Sequence, residues 1–278
     1  MLLARCELDA RRFAAIVEGD EVVELDVAPS ATWFLDALDA GSSAHGRRHT
    51  VDEVRFLPPV VPPTFYAAGF NYQAHVEHNS DLGYAPVQVG PRPEVGYRAQ
   101  SALVGHRAPI EKPLDVEGRF EAEGELVAVI GRTIKHADRD EAKAAVVGWT
   151  IGNDVSAREW QHADRTFWRS KNSDTFKPMG PWIATGVDAL ESTTTIRIDG
   201  AVDSSFPTGD MIFDPYDFIV EMTRYITLQP GDVLWMGARG ANALPVGSTV
   251  DVEISGIGTL TNPVVAAPAA PATKGNQR

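Results

Sequence analysis

The chain has 278 residues, 44% hydrophobic and 23% charged, an ordinary globular composition with room for one large domain, or one plus a small appendage. Its 25 Lys and Arg against 38 Asp and Glu leave a net charge of −13 with no basic block, which argues against nucleic acid or an anionic membrane as partner. The single cysteine, Cys6, rules out an internal disulfide, and no apolar run suits a membrane span or secretory leader, so a cytoplasmic protein is expected.

Residues 1–58 are predicted to form a small N-terminal α/β domain. LLARCEL and RFAAIVEG–DEVVELD read as short strands around a Gly-Asp turn, and SATWFLDALDAG as a helix that Gly41 ends. Pro58, Pro59, Pro62 and Pro63 then make a stiff connector. From 64 to 266 strand-length apolar runs recur, among them FYAAGF, ELVAVIG, AVVGWTIG, PWIATG, TTIRIDG, DVLWMG and TVDVEISG, predicting a β-rich catalytic domain. Two helices are marked within it. Asp138 and Glu141 make a capping box, and Asp214 with Pro215 opens a helix whose stripe is Phe218, Ile219, Met222, Tyr225 and Ile226. The tail 267–278 has the composition of a disordered end.

Chemistry concentrates in three places. Glu123 and Glu125 lead into the run Leu126–Ile130; in a strand, residues two apart share a face, and two carboxylates so placed repel unless a cation lies between them. Asp154 ends a second apolar run, Val146–Ile151, where a parallel-packed strand would set a third carboxylate beside the pair. Three such ligands suit a hard divalent ion, Mg²⁺ foremost, with Mn²⁺ or Ca²⁺ as substitutes. The segment 66–78, YAAGFNYQAHVEH, runs from a strand into Asn71, Tyr72, His75, Glu77 and His78. His75, oriented by a nearby carboxylate, is a candidate general base. Arg158 and Gln161 follow Asp154 by four and seven residues, so a helix would align all three. Lys171 lies in a polar loop before Pro178-Met179-Gly180-Pro181, and these groups together would bind a carboxylate and developing negative charge. Arg165, Arg169, His136 and His162 read as surface residues.

Taken together, E-G-E-L at 123–126, N-D-V-S-A-R at 153–158 with Gln161, K-N-S-D-T-F at 171–176, G-P-W at 180–182 and G-F-N-Y-Q-A-H at 69–75 resemble the fumarylacetoacetate hydrolase family. L-Q-P-G-D-V-L at 228–234 and E-I-S-G-I-G-T-L-T-N-P at 253–263 are similar to its closing segments. The likeness runs in the family's order over about residues 64–264. It implies an α+β, β-rich fold with a mixed β-roll or β-sandwich catalytic domain, in a homodimer. It further implies a Mg²⁺-type ion on Glu123, Glu125 and Asp154, His75 as general base, and Arg158, Gln161 and Lys171 around the substrate. Glu121 lies outside the motif.

The expected activity is cleavage of a C–C bond in a small anionic 2-oxo or 2,4-dioxo acid through a metal-bound enolate. The alternative is a lyase or isomerase (decarboxylase, dehydratase, tautomerase) acting on a 2-oxo or 3-deoxy sugar acid at the same site, and a third, non-enzymatic reading is a ligand-binding member. Two departures bear on the choice. His78 stands where the family often has an acid to pair with the histidine, leaving Glu77 one position early as a catalytic candidate. Gly237-Ala238-Arg239 replaces a Gly-Thr pair, so Arg239 or Arg98 is expected to supply charge in place of the hydroxyl, with Tyr72 as a further substrate contact. Residues 76–100 are expected to form a specificity lid.

Overall fold

The computed structural model describes residues 1–28, 30–39, 46–81, 88–161 and 163–269, with side chains throughout except at 78–81. The expected helix end at Gly41, the partner position His78, His162, the lid residues 82–87 and the tail from 270 lie outside these described residues or side chains.

The core is organised by the strand Gly124–Ile130, all seven of whose residues are buried. A strand covered on both faces needs no polar alternation, which is why GELVAVI reads as one apolar run. Its alternate residues go to different clusters: Leu126, Ala128 and Ile130 join one with Ile151, Ile196 and Val252, while Val127 and Val129 join another with Phe65, Met179 and Trp235. It pairs antiparallel with Val146–Asn153 on one side and with Val233–Trp235 on the other. The parallel packing expected for Val146–Ile151 is therefore replaced by an antiparallel pairing, in which Gly124 lies opposite Asn153. That register brings Asp154 to the same sheet end as the two glutamates.

Among the described residues, 12 strands join in this principal sheet, with a five-stranded and a three-stranded sheet beside it. Leu2–Leu8 pairs with Lys177–Ala184 of the principal sheet through Leu2–Ala184 and Leu3–Ile183. The N-terminal strands thus extend that sheet across the proline connector. The five-stranded sheet, which includes Thr193–Ile198 and Thr249–Ile254, contributes Ile196 and Val252 to the face opposite the carboxylates.

Both expected caps form. Asp138 accepts from the Glu141 amide 2.8 Å away ahead of helix Arg139–Ala145, and Asp214 accepts from Tyr216 and Asp217 ahead of Pro215–Thr223. The second helix is shorter than its apolar stripe suggests. Phe218, Ile219 and Met222 are buried in it, whereas Tyr225 and Ile226 follow its end and Tyr225 is 64% exposed. Among the described residues no helix is long and apolar enough to cross a membrane.

His106 carries a pH dependence away from the acidic cluster. Its ring packs edge-on to Phe56, and its Nδ1 accepts the Thr261 amide at 3.1 Å, which needs an unprotonated nitrogen. Burial foremost, then Arg107, lowers it to about 4. The unfolded chain takes up this proton first, so stability is full above the ordinary histidine value and declines as pH falls from about 6.5 to about 4, by about 3 kcal/mol. His106→Asn, whose amide oxygen can replace Nδ1 as acceptor, is expected to flatten the urea-unfolding stability over that window; an unchanged slope would show that other groups carry it.

Candidate active site

Glu123 and Glu125 reach one face because the strand alternates about Gly124, as the spacing predicts. Gly124 faces the other way, where an added Cβ would lie 2.8 Å from Val252 and 3.1 Å from Ile196. The glycine between the acids thus lets side chains of the five-stranded sheet pack close against the principal sheet. Asp154 follows the neighbouring strand, its amide donating to the Glu123 carbonyl at 2.9 Å. Carboxylate oxygens from all three residues lie within 4.8 Å of one another, and all three side chains are buried.

The repulsion is met chiefly by fixed cations. The Asp154 carboxylate accepts both Nε (3.1 Å) and Nη2 (2.8 Å) of Arg98, the Lys171 ammonium at 2.9 Å and the Lys177 ammonium at 2.6 Å. Glu123 accepts from Arg158 and from Lys171. Burial alone would raise both acids; Arg98, Lys171 and Lys177 outweigh it at Asp154, and Arg158 and Lys171 at Glu123, so both are held below the usual carboxylate range. Glu125 is the exception. Among its described contacts it accepts only the Gly237 amide, at 2.8 Å. Burial, reinforced by Asp154 and Glu123, pushes it up to about 8. Gly237 can present that amide because its φ of +80° suits glycine, and a Cβ there would lie 3.2 Å from Asn71 and from the Gly69 carbonyl.

His75 sits in the helix Gln73–Asp81, its ring against Phe70. Nδ1 is 2.9 Å from the Ala238 carbonyl and Nε2 is 3.6 Å from Glu123. A carbonyl can only accept, so Nδ1 carries the proton and Nε2 keeps a lone pair facing the cluster. Burial lowers the His75 pKa against the opposing pull of Glu123, which favours the neutral ring. Ala238, noted in the sequence for a missing hydroxyl, contributes its backbone oxygen.

Glu77 does not join this group. It lies two residues beyond His75 on the same helix, about 200° around the axis, exposed and bonded to Gln73 at 3.1 Å. Tyr72 is buried with its hydroxyl donating to the Thr208 carbonyl at 2.7 Å; it forms a wall rather than a free donor. Arg239 lies exposed, its guanidinium 6.0 Å from the Phe206 ring centre. Arg158 also bonds Glu121 at 2.7 Å and the Gln161 side-chain oxygen at 3.2 Å. The expected helical alignment of Asp154 with Arg158 and Gln161 does not form, since the helix spans only Arg158–Gln161; Arg158 is linked to Asp154 instead through Glu123 and Lys171.

Glu121, outside the motif, nonetheless contributes, and two further residues, Asp164 and Lys177, escaped the sequence reading. Glu121 is buried and anchors Arg158. Asp164 accepts the amides of Trp168, Arg169 and Ser170 and the Ser170 hydroxyl, which shapes the loop presenting Lys171. Lys177, fully buried, begins the strand Lys177–Ala184 and donates to Asp154 and to the carbonyls of Val155 (3.1 Å) and Phe176 (2.8 Å). A charged residue opening a buried apolar strand was the available signal for Lys177. Burial, opposed by Asp154, lowers it to about 7, and its three acceptors match the three protons of an ammonium.

The three carboxylates fit a divalent cation. The donors are all hard oxygens within one ion's reach, and Glu125 is short of positive charge.

A model of the fumarylacetoacetate (FAA) hydrolase C-terminal family matches residues 64–265. A Mycobacterium tuberculosis protein is 35% identical over 224 residues, covering 79% of this chain and 82% of its own length. The mitochondrial oxaloacetate tautomerase Fahd2a of Rattus norvegicus is 31% identical over 226 residues, covering 77% of this chain and 70% of its own. The crystal structure of 5-carboxymethyl-2-hydroxymuconate delta-isomerase from Mycobacterium smegmatis superposes with a TM-score of 0.80 at 32% identity, over 96% of this chain and 100% of that one.

Gly124→Ala is expected to destabilise the protein by about 1–3 kcal/mol through overpacking and to weaken divalent-ion binding by displacing both glutamates, measured by urea unfolding and by Mn²⁺ titration. Glu125→Gln removes the acid with least compensation, so it is expected to raise the melting temperature in chelator while abolishing the rise that Mn²⁺ produces in the wild type. A lower melting temperature for that variant in chelator would show that the repulsion at Glu125 is already relieved.

Proposed function

Because the chain belongs to the fumarylacetoacetate hydrolase family, we propose that it is a divalent-metal-dependent enzyme of small anionic 2-oxo acids that moves a proton at the carbon beside the 2-oxo group. The observation that carries this is the state of His75: Nδ1 is committed to the Ala238 carbonyl and Nε2 faces the buried carboxylates with its lone pair free. Glu123, Glu125 and Asp154 would hold Mg²⁺ or Mn²⁺, which would supply Lewis-acid polarisation of the substrate's oxygens.

The chain's own groups do the rest. Nε2 of His75 takes the proton from carbon and returns it at the same or a neighbouring position, the behaviour of a general base. Lys171 and Arg158 border the position where negative charge develops and stabilise it. Gln161, whose side-chain oxygen is taken by Arg158, has its amide N–H₂ to orient a substrate oxygen. Such a site supports tautomerisation or isomerisation. The tautomerase and isomerase similar to this chain are consistent with that class of reaction.

Hydrolysis of a C–C bond in a 2,4-dioxo acid is the second reading. It is favoured by the same free Nε2, which can equally take a proton from water, and by the Gln161 amide, which can hold that water. Against it stands the exposed position of Glu77, which leaves His75 with a backbone carbonyl rather than a carboxylate behind it.

In ²H₂O with Mg²⁺ or Mn²⁺, the wild type is expected to exchange the C3 hydrogens of a 2-oxo acid such as oxaloacetate, and chelator to stop the exchange. His75→Ala is expected to slow it by about 10²–10⁴-fold. No enzyme-dependent exchange across a panel of 2-oxo acids would rule the reading out. Solvent ¹⁸O appearing in a newly formed carboxylate from an acylpyruvate would establish hydrolysis instead.

A further inference from the structure

Cations crowd both oxygens of the Asp154 carboxylate: Oδ1 accepts from Arg98 Nε and pairs with Lys177 at 2.6 Å, and Oδ2 accepts from Arg98 Nη2 and Lys171. For Asp154 to hold a metal ion, one of these partners must yield. Lys177 is the least able to do so. It is 0% exposed, and its nitrogen is tied to the Val155 and Phe176 carbonyls as well as to Asp154. Those carbonyls flank the strand end that carries Asp154, so the lysine is locked by backbone on the inner side of the ligand.

We infer that Lys177 is a positioning residue, an internal ammonium held in place by the Val155 and Phe176 carbonyls, which weakens binding of a divalent ion alone and makes ion and 2-oxo acid bind together. The inference rests on the proposed function, because it takes Asp154 as a metal ligand. The cluster explains why such a charge matters. Glu121, Glu123 and Asp154 face Arg98, Arg119, Arg158, Lys171 and Lys177 across short contacts, while Glu125 beside them meets only the Gly237 amide. A divalent ion added to a group already so well supplied with cations brings excess positive charge into a buried site, where a unit charge a few ångströms away weighs heavily. An anionic substrate removes the excess. Without Lys177 the group is one charge more negative, so the ion binds better alone and gains less from the anion.

The test is Mn²⁺ binding to the full chain, read from the electron paramagnetic resonance signal of free Mn²⁺ and corrected for chelation by oxalate in solution. Titrations with and without saturating oxalate are compared for the wild type, Lys177→Met and Lys177→Gln. The glutamine variant keeps donors for the two carbonyls while losing the charge. Wild-type affinity is expected to rise about tenfold or more with oxalate. Both variants are expected to bind Mn²⁺ alone about tenfold or more tightly than the wild type, with the gain from oxalate reduced. Variants that bind Mn²⁺ alone no better than the wild type, or that fail to fold even with Mn²⁺, would overturn the inference and leave Lys177 a purely structural residue. A wild type that binds Mn²⁺ equally well with and without oxalate would overturn it too. No Mn²⁺ binding by any form, with or without oxalate, would instead overturn the metal-dependent reading of the site.

Discussion

The cost of burying carboxylates side by side governs this molecule. Glu123, Glu125 and Asp154 lie within one ion's reach in a place that water does not screen, and a buried charge must be paired or it neutralises itself. The fold answers unevenly. Asp154 receives Arg98, Lys171 and Lys177, and Glu123 receives Arg158 and Lys171, whereas Glu125 receives a single backbone amide. The shortage of positive charge is thus concentrated on one carboxylate, beside two that are well supplied.

The supporting elements make sense as ways of delivering those partners from distant parts of the chain. Asn71 shows how. Its side chain donates to the Met236 and Phe213 carbonyls at 2.8 and 3.0 Å and accepts the Phe213 amide at 3.0 Å. That bracket ties the start of the His75 helix to the segment holding Gly237 and Ala238. One of those residues serves Glu125 and the other serves His75, so a buried asparagine ties together the segments that fix His75 and Glu125. Asn172 does comparable work opposite, accepting the Ala99 amide at 2.6 Å and so linking the loop of Lys171 to the segment of Arg98.

What the sequence disclosed follows from how local each cause is. The shared face of Glu123 and Glu125 is a property of any strand, and the boxes at Asp138 and Asp214 need only a few neighbouring residues, so these were legible. The burial of Lys177 was not, because only the meeting of its strand with the end of Val146–Asn153 makes an ammonium tolerable there. Glu77 misled for a related reason. Closeness in sequence to His75 suggested a pair, but a helix turns residues two apart to different sides. The parallel packing imagined for Val146–Ile151 failed because pairing direction is a tertiary choice that an apolar run does not record. Backbone pairing of Leu2–Leu8 with Lys177–Ala184 crosses the proline connector, a long-range choice that the run of prolines does not record.

The same geometry bears on why one family carries hydrolases, tautomerases and isomerases. A carboxylate behind the histidine would stabilise the imidazolium formed when water is deprotonated, as an acid partner does in other histidine-dependent hydrolases. A backbone carbonyl fixes the tautomer but brings no negative charge of its own, so the protonated ring is less favoured and its proton is more readily handed back. Prompt return of a proton is what tautomerisation requires, whereas hydrolysis needs the proton kept until the leaving carbon can accept it. In this chain the carbonyl of Ala238 stands behind His75, with Glu123 the nearer acid, on the substrate side and already shared between Arg158 and Lys171. On the function proposed for this chain, the kind of oxygen at Nδ1 would weigh on the balance between the two chemistries.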